Sequence, residues 1–118
     1  MMQRKAKYNA RRTRGYDSAA EAKRADELKL MQMAGEISDL REQVPFFLVE
    51  AFTGPDGEKH RKMTYRADFT YTENGRKIVE EVKGYLTRHA ADKQKIFLHR
   101  LMMGDYVREI DEYRIHKV

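Results

Sequence analysis

The spacing of apolar positions changes along the chain, and each change marks an element. From Ser18 to about Ala34 the apolar residues fall at helical spacing, with Ser18 placed to cap the start and Gly35 to stop the end. Residues 44–52 (VPFFLVEAF) form a nearly unbroken apolar run. They predict a strand with Pro45 near its start, where a missing N–H is tolerated, and the run would also suit an interface. Gly54-Pro55-Asp56-Gly57 is turn chemistry. Two strands are predicted over 63–72 and 76–83, a second helix over 88–103 closed by Gly104, and a last strand over 106–115. The order helix, strand, strand, strand, helix, strand, with short connections, implies one α/β domain with a mixed sheet flanked by helices. If the last strand lies beside the hairpin, the second helix is the crossover that makes them parallel.

The segment YRADFTYTENGRKIVEEVKG, residues 65–84, carries the chemistry. Asn74-Gly75 predicts a two-residue type I′ turn, which needs φ > 0 at both positions. Glu73 then pairs with Arg76, and the register places Asp68 directly opposite Glu81. Alternation puts Lys83 on the same face as Glu81. Tyr65, Ala67, Phe69, Tyr71, Ile78 and Val82 share the other face, with Glu80 as the exception, so one face is expected to be core and the other polar. Opposed carboxylates repel unless something compensates. A divalent cation would, and the trio Asp68, Glu81 and Lys83 is then the pattern of a metal-dependent phosphodiester hydrolase. A solvated charged sheet face is the plainer alternative.

Charge adds a second feature. The net charge is +5, yet residues 1–14 hold Arg4, Lys5, Lys7, Arg11, Arg12 and Arg14 and no acid, leaving 18 basic against 19 acidic residues elsewhere. Residues 1–16 also lack apolar periodicity. They are expected to be a flexible basic arm, with a domain over 17–118. Such an arm suits DNA contact, and equally suits a solvated tail. No stretch approaches the roughly 18 apolar residues of a membrane-spanning helix. The basic start lacks the apolar core of a secretory signal. The absence of cysteine removes disulfides and thiolate metal sites, and fits a reducing cytoplasm.

Glu21 has two readings. Ser18-x-x-Glu21 is a capping box, in which the Glu side chain returns to the N-cap amide. Glu21 also shares an inward helical stripe with Ala25, Leu28 and Gln32, where a carboxylate needs a partner. On the second helix, Gln94 shares an inward stripe with Ala90, Phe97 and Leu101, while Lys93 and Lys95 project elsewhere and suit phosphate contact or simply a solvated outer face. His60, His89, His99 and His116 show no metal-ligand spacing, and none is expected to be a ligand.

Glu81-Val82-Lys83 is literally E-X-K, and the hairpin around it resembles that of the PD-(D/E)XK nuclease superfamily, with Ala67 where that superfamily often has Pro. Over about residues 8–100 the chain is similar to short phage-associated, Holliday-junction-resolvase-like nucleases. The shared features are Tyr8-Asn9-Ala10-Arg11, the Ser18 to Ala22 helix start, Ala67-Asp68-Phe69 and Val82-Lys83-Gly84, in that order. The resemblance implies a restriction-endonuclease-like αβββαβ core. It implies Mg²⁺, with Mn²⁺ as substitute, held by Asp68, Glu81, Glu21 and the Val82 carbonyl. Lys83 would orient or deprotonate the attacking water, and Gln94 would face the site. The function implied is that of an endodeoxyribonuclease leaving a 5′-phosphate, acting on branched or recombining DNA in phage replication within the bacterial cytoplasm. By analogy, two-strand cutting would call for a homodimer. The alternative is an inactive nucleic-acid-binding accessory protein on the same scaffold, and a weaker one is a structural or inhibitor protein without DNA affinity.

Overall fold

Helix α1 (Ala19–Met33) starts where its cap stands: Ser18 is extended, and its Oγ accepts the Glu21 N–H at 3.1 Å. It ends at Ala34, with Gly35 taking φ +81°. One stripe of the helix is buried, made of Glu21, Ala22, Ala25 and Leu28. These positions come from a computed structural model that describes residues 14–117. The basic residues Arg4, Lys5, Lys7, Arg11 and Arg12 lie outside the described residues.

Strand β1 (Ser38–Val49) begins six residues before the apolar run and stops short of Phe52. It is an edge strand, so its first half can stay polar and exposed and leaves no hydrophobic signature. Strands β2 (Phe52–Thr53) and β3 (Lys59–His60) make a small separate hairpin around the Gly54–Gly57 turn, where Phe52 stacks on His60. Strands β4 (Met63–Glu73) and β5 (Arg76–Val82) form the expected hairpin, with Asn74 at φ +52° and Gly75 at +77°. Helix α2 (Arg88–Met102) then crosses over to β6 (Glu112–His116), which runs parallel to β5. The result is a mixed four-stranded sheet in the order β1-β4-β5-β6.

The last strand is shorter than its apolar pattern suggests. Residues 106–110 form a helical turn instead, with the Ile110 N–H bonded to the Tyr106 carbonyl at 2.9 Å. Tyr106 and Ile110, four apart, both enter the core, and the Tyr106 hydroxyl donates to the Phe47 carbonyl at 2.7 Å.

Both faces of the hairpin are covered, contrary to the expectation of one polar face. Tyr65, Ala67 and Val79 pack with Leu48, Phe97, Tyr106 and Ile110 on the α2 side. Phe69, Tyr71 and Ile78 pack with Ala25, Leu28 and Ile37 on the α1 side. Four consecutive residues of β5, Ile78 to Glu81, are therefore buried. Residues two apart on a strand normally share a face, yet Ala67 and Phe69 join opposite cores, so β4 changes sides at Asp68. Glu80, the exception on the apolar face, is held by Arg24 of α1 and by the Tyr71 hydroxyl. No helix among the described residues is long and apolar enough to cross a membrane.

Candidate active site

The β4–β5 ladder keeps the expected register from Glu73–Arg76 to Phe69–Glu80. At the next position side chains replace the ladder. Glu81 Oε2 accepts the Asp68 N–H at 3.1 Å, and Asp68 Oδ2 accepts the Val82 N–H at 2.9 Å. The irregularity continues into β1. Glu42 pairs with Phe69 and Val44 with Ala67, but Gln43 between them adopts φ +54°. Its Nε2 donates to Glu21 Oε2 at 2.5 Å. One row across three strands thus gives up regular pairing, and the first turn of α1 closes over it. This brings Asp68 and Glu81 together, with Glu21 tied to the same row through Gln43.

The electrostatics follow from burying acids beside acids. Burial raises the pKa of Asp68, and burial plus the Asp68 charge raises that of Glu81. Glu21 is pushed up to about 7, by burial first and then by Asp68 and Asp17; the Gln43 amide and the Asp17 backbone offset part of this. Behind Glu81 lies the Tyr65 hydroxyl, whose pKa is also raised by burial and by Glu81. The hydroxyl lies near Glu81, Gln94 and Tyr113 but makes no well-formed hydrogen bond to them. Gln94 Nε2 donates to the Tyr113 hydroxyl at 3.3 Å.

A cleft of about 380 Å³ opens on this row, with Asp17, Asp68 and Glu81 on its acidic side and Arg66, His89 and Lys93 among its basic lining. Residues 4–115 match a family model described as a protein of unknown function, DUF1064. The chain belongs to that family. No curated protein matches the chain. The DUF1064 match takes in α1 with Glu21, the whole hairpin, α2 and all but the last residue of β6, so every part of the cleft lies inside it.

Placed in the DUF1064 chain, the residues singled out by sequence divide. Asp68 and Glu81 meet as the register requires, and Gln94 lines the cleft. Val82 contributes its backbone at the site through the N–H held by Asp68. Lys83 is exposed beside the main cleft, lining a smaller adjoining pocket that shares Glu81, Leu86 and Gln94 with it. Lys93, expected to point away with Lys95, instead lines the cleft near Gln94, whereas Lys95 is exposed outside it. Arg14, the one basic residue of the arm within the described residues, folds back on α1, donating to Asp26 at 2.9 Å and to the Ala22 carbonyl at 3.1 Å while its side chain stays half exposed. Glu21 realises only half of a capping box. The Ser18 hydroxyl caps the helix, but the Glu21 carboxylate reaches across to Gln43 on β1.

Gln43, Tyr65 and His89 line the cleft without having been singled out as site residues. Tyr65 was legible only as core, and the polar start of β1 hid Gln43. Among the described residues, no three carboxylate or imidazole side chains form a ready cation cage. The donor chemistry nevertheless fits a hard divalent cation. The acids offer oxygen only, their repulsion is what a cation relieves, and a buried tyrosine hydroxyl beside them lacks a well-formed bond.

Proposed function

We propose that this chain is a divalent-metal-dependent DNA endonuclease with a restriction-endonuclease-like core. The observation that carries the reading is the break in pairing at Asp68 and Glu81, where buried acids face one another and α1 brings Glu21 alongside. The E-X-K run at Glu81-Val82-Lys83 and the mixed sheet with α2 as crossover support it. Action on branched or recombining DNA in phage replication follows from the motif likeness described above.

Asp68, Glu81 and Glu21, with the Val82 carbonyl, would hold Mg²⁺ or Mn²⁺, which when bound supplies charge neutralisation at the phosphate. Lys83 orients the attacking water and offsets charge as the P–O bond breaks, leaving a 5′-phosphate. Gln94 and Lys93, one turn into α2, contact phosphate oxygens at the mouth of the cleft. Gln43 fixes the direction of the Glu21 carboxylate.

The deciding assay incubates the full chain with linear, nicked and four-way-junction DNA. Cutting is expected with Mg²⁺ or Mn²⁺ and none in EDTA. Lys83→Ala should lower the rate by about 10²-fold or more, the scale of a lost proton-transfer or water-positioning group, with DNA affinity retained. A folded wild-type protein that cuts none of the substrates overturns the reading.

Glu21→Gln separates ligand from cap. Gln still serves at this position of a cap, so α1 should persist by circular dichroism. Mg²⁺ affinity and cutting should each fall by about tenfold or more, as expected when a charged oxygen ligand is lost. Full activity in this variant would reduce Glu21 to a structural residue.

The lack of a ready cage among the described residues favours a second reading, a nucleic-acid-binding protein without activity. Calorimetry with Mg²⁺ and Mn²⁺ decides between the two, since that reading expects no cation binding at the acidic row.

A further inference from the structure

A second cavity, of about 420 Å³, lies between the first half of α1 and the end of β6, and the proposed reaction does not use it. Ala19 and Ala20 leave it open, while Lys23, Arg24, Glu27, His116 and Lys117 supply its polar wall. Two of these charges are already engaged. Arg24 is held by Glu80 at 2.6 Å and by Glu27 at 3.1 Å, and Glu27 also faces His116 at 3.9 Å. Lys23 and Lys117 are exposed, and neither has a carboxylate at ion-pair distance among the described residues. The cavity therefore carries uncompensated positive charge.

Its position relative to the cleft is fixed by the sheet. Val82 pairs with His116, and the Lys83 N–H donates to the His116 carbonyl at 2.9 Å. The cavity thus begins one strand over from the lysine of the E-X-K run. We infer that it is a second phosphate site, in which Lys23 and Lys117 seat a backbone phosphate of the same nucleic-acid strand that is bound at Asp68 and Glu81. This rests on the nuclease reading. The lining has lysines to pair with phosphate oxygens but no Phe, Tyr or Trp on which a base could stack, so the group recognised is the phosphodiester and not the base. The site positions the strand across Lys83 without reading its sequence.

The test is the salt dependence of binding by the full chain. A fluorescent single-stranded oligonucleotide is titrated in EDTA, so that binding is read without cutting, and the log–log slope against salt is compared between variants. Lys23→Ala with Lys117→Ala should reduce the slope by roughly 1.4, two phosphate contacts at about 0.7 each, and weaken binding about tenfold at low salt. Lys23→Arg with Lys117→Arg should restore both values. An unchanged slope in the alanine pair, or a wild-type protein with no salt-dependent affinity, overturns the site. The outcome is independent of catalysis. A reduced slope in a protein that never cuts leaves the site standing and removes the nuclease reading, while cutting with an unchanged slope does the reverse.

Discussion

Replacing Glu81 by Gln is expected to abolish cutting and, without divalent cations, to make the protein more stable at pH 8. Both effects come from one carboxylate. Glu81 is buried against Asp68, and burial and that neighbouring charge raise its pKa. The folded chain therefore holds protons here that the unfolded chain has already released. Wherever the folded state binds more protons, stability falls as pH rises. For such a glutamate the favourable contribution is complete below its ordinary value of 4.5 and is lost as pH climbs through the raised value; for Glu21 that window closes near pH 7. The metal-free wild-type protein should thus lose thermal stability between pH 5 and pH 8. Gln in place of Glu81 mimics the protonated group, and its amide oxygen can still accept the Asp68 N–H. After allowance for the solvent reaching the cleft, the gain at pH 8 should be on the order of 2 kcal/mol, or roughly 5–10 °C in Tm. Adding Mg²⁺ reverses the ranking. At a hundredfold excess over Kd a cation stabilises the wild type by about 2.7 kcal/mol, and the variant should gain far less. Wild-type protein that grows more stable towards pH 8 without metal, and does not respond to Mg²⁺, would contradict this account of the site.

How much of this could be read from sequence depends on which interactions are local. The hairpin was legible because Asn74-Gly75 demands a two-residue turn, and the period of two then fixes which residues oppose. Asp68 and Glu81 followed from that alone. The sequence could not show that the ladder breaks there. The break depends on Gln43, a non-glycine residue at positive φ in a strand whose polar first half gave no periodic signal. It also could not show that Val79 is core, because a strand covered on both faces loses its alternation. Tyr106 and Ile110 were spaced for a helical turn, but sat in a run of β-forming residues long enough to read as strand. Glu80 did leave a mark as the one acid on an apolar face. Its partner Arg24 lies 56 positions away, beyond the reach of any local pattern.

That partner should be the most damaging single loss in the fold. Arg24 grips Glu80 with two donors, Nε to Oε2 at 2.6 Å and Nη2 to Oε1 at 3.1 Å, and Glu80 is 1% exposed. Arg24→Met leaves that carboxylate buried with the Tyr71 hydroxyl as its remaining donor. Removing one member of a buried pair costs about 3–5 kcal/mol, a large share of the stability of a domain this size. The consequence reaches the site, because Arg24 docks the same helix turn that carries Glu21 to Gln43. Cutting should therefore fall with stability, and Mg²⁺ should recover part of both by binding only the docked form. Because methionine pairs suit an apolar interior, Arg24→Met combined with Glu80→Met should be closer to wild type in stability than Arg24→Met alone. Denaturant midpoints for both single variants and the double variant close the cycle. A loss below about 1 kcal/mol for Arg24→Met would mean that Ala22, Ala25 and Leu28 hold α1 to the sheet unaided, with the ion pair contributing only register.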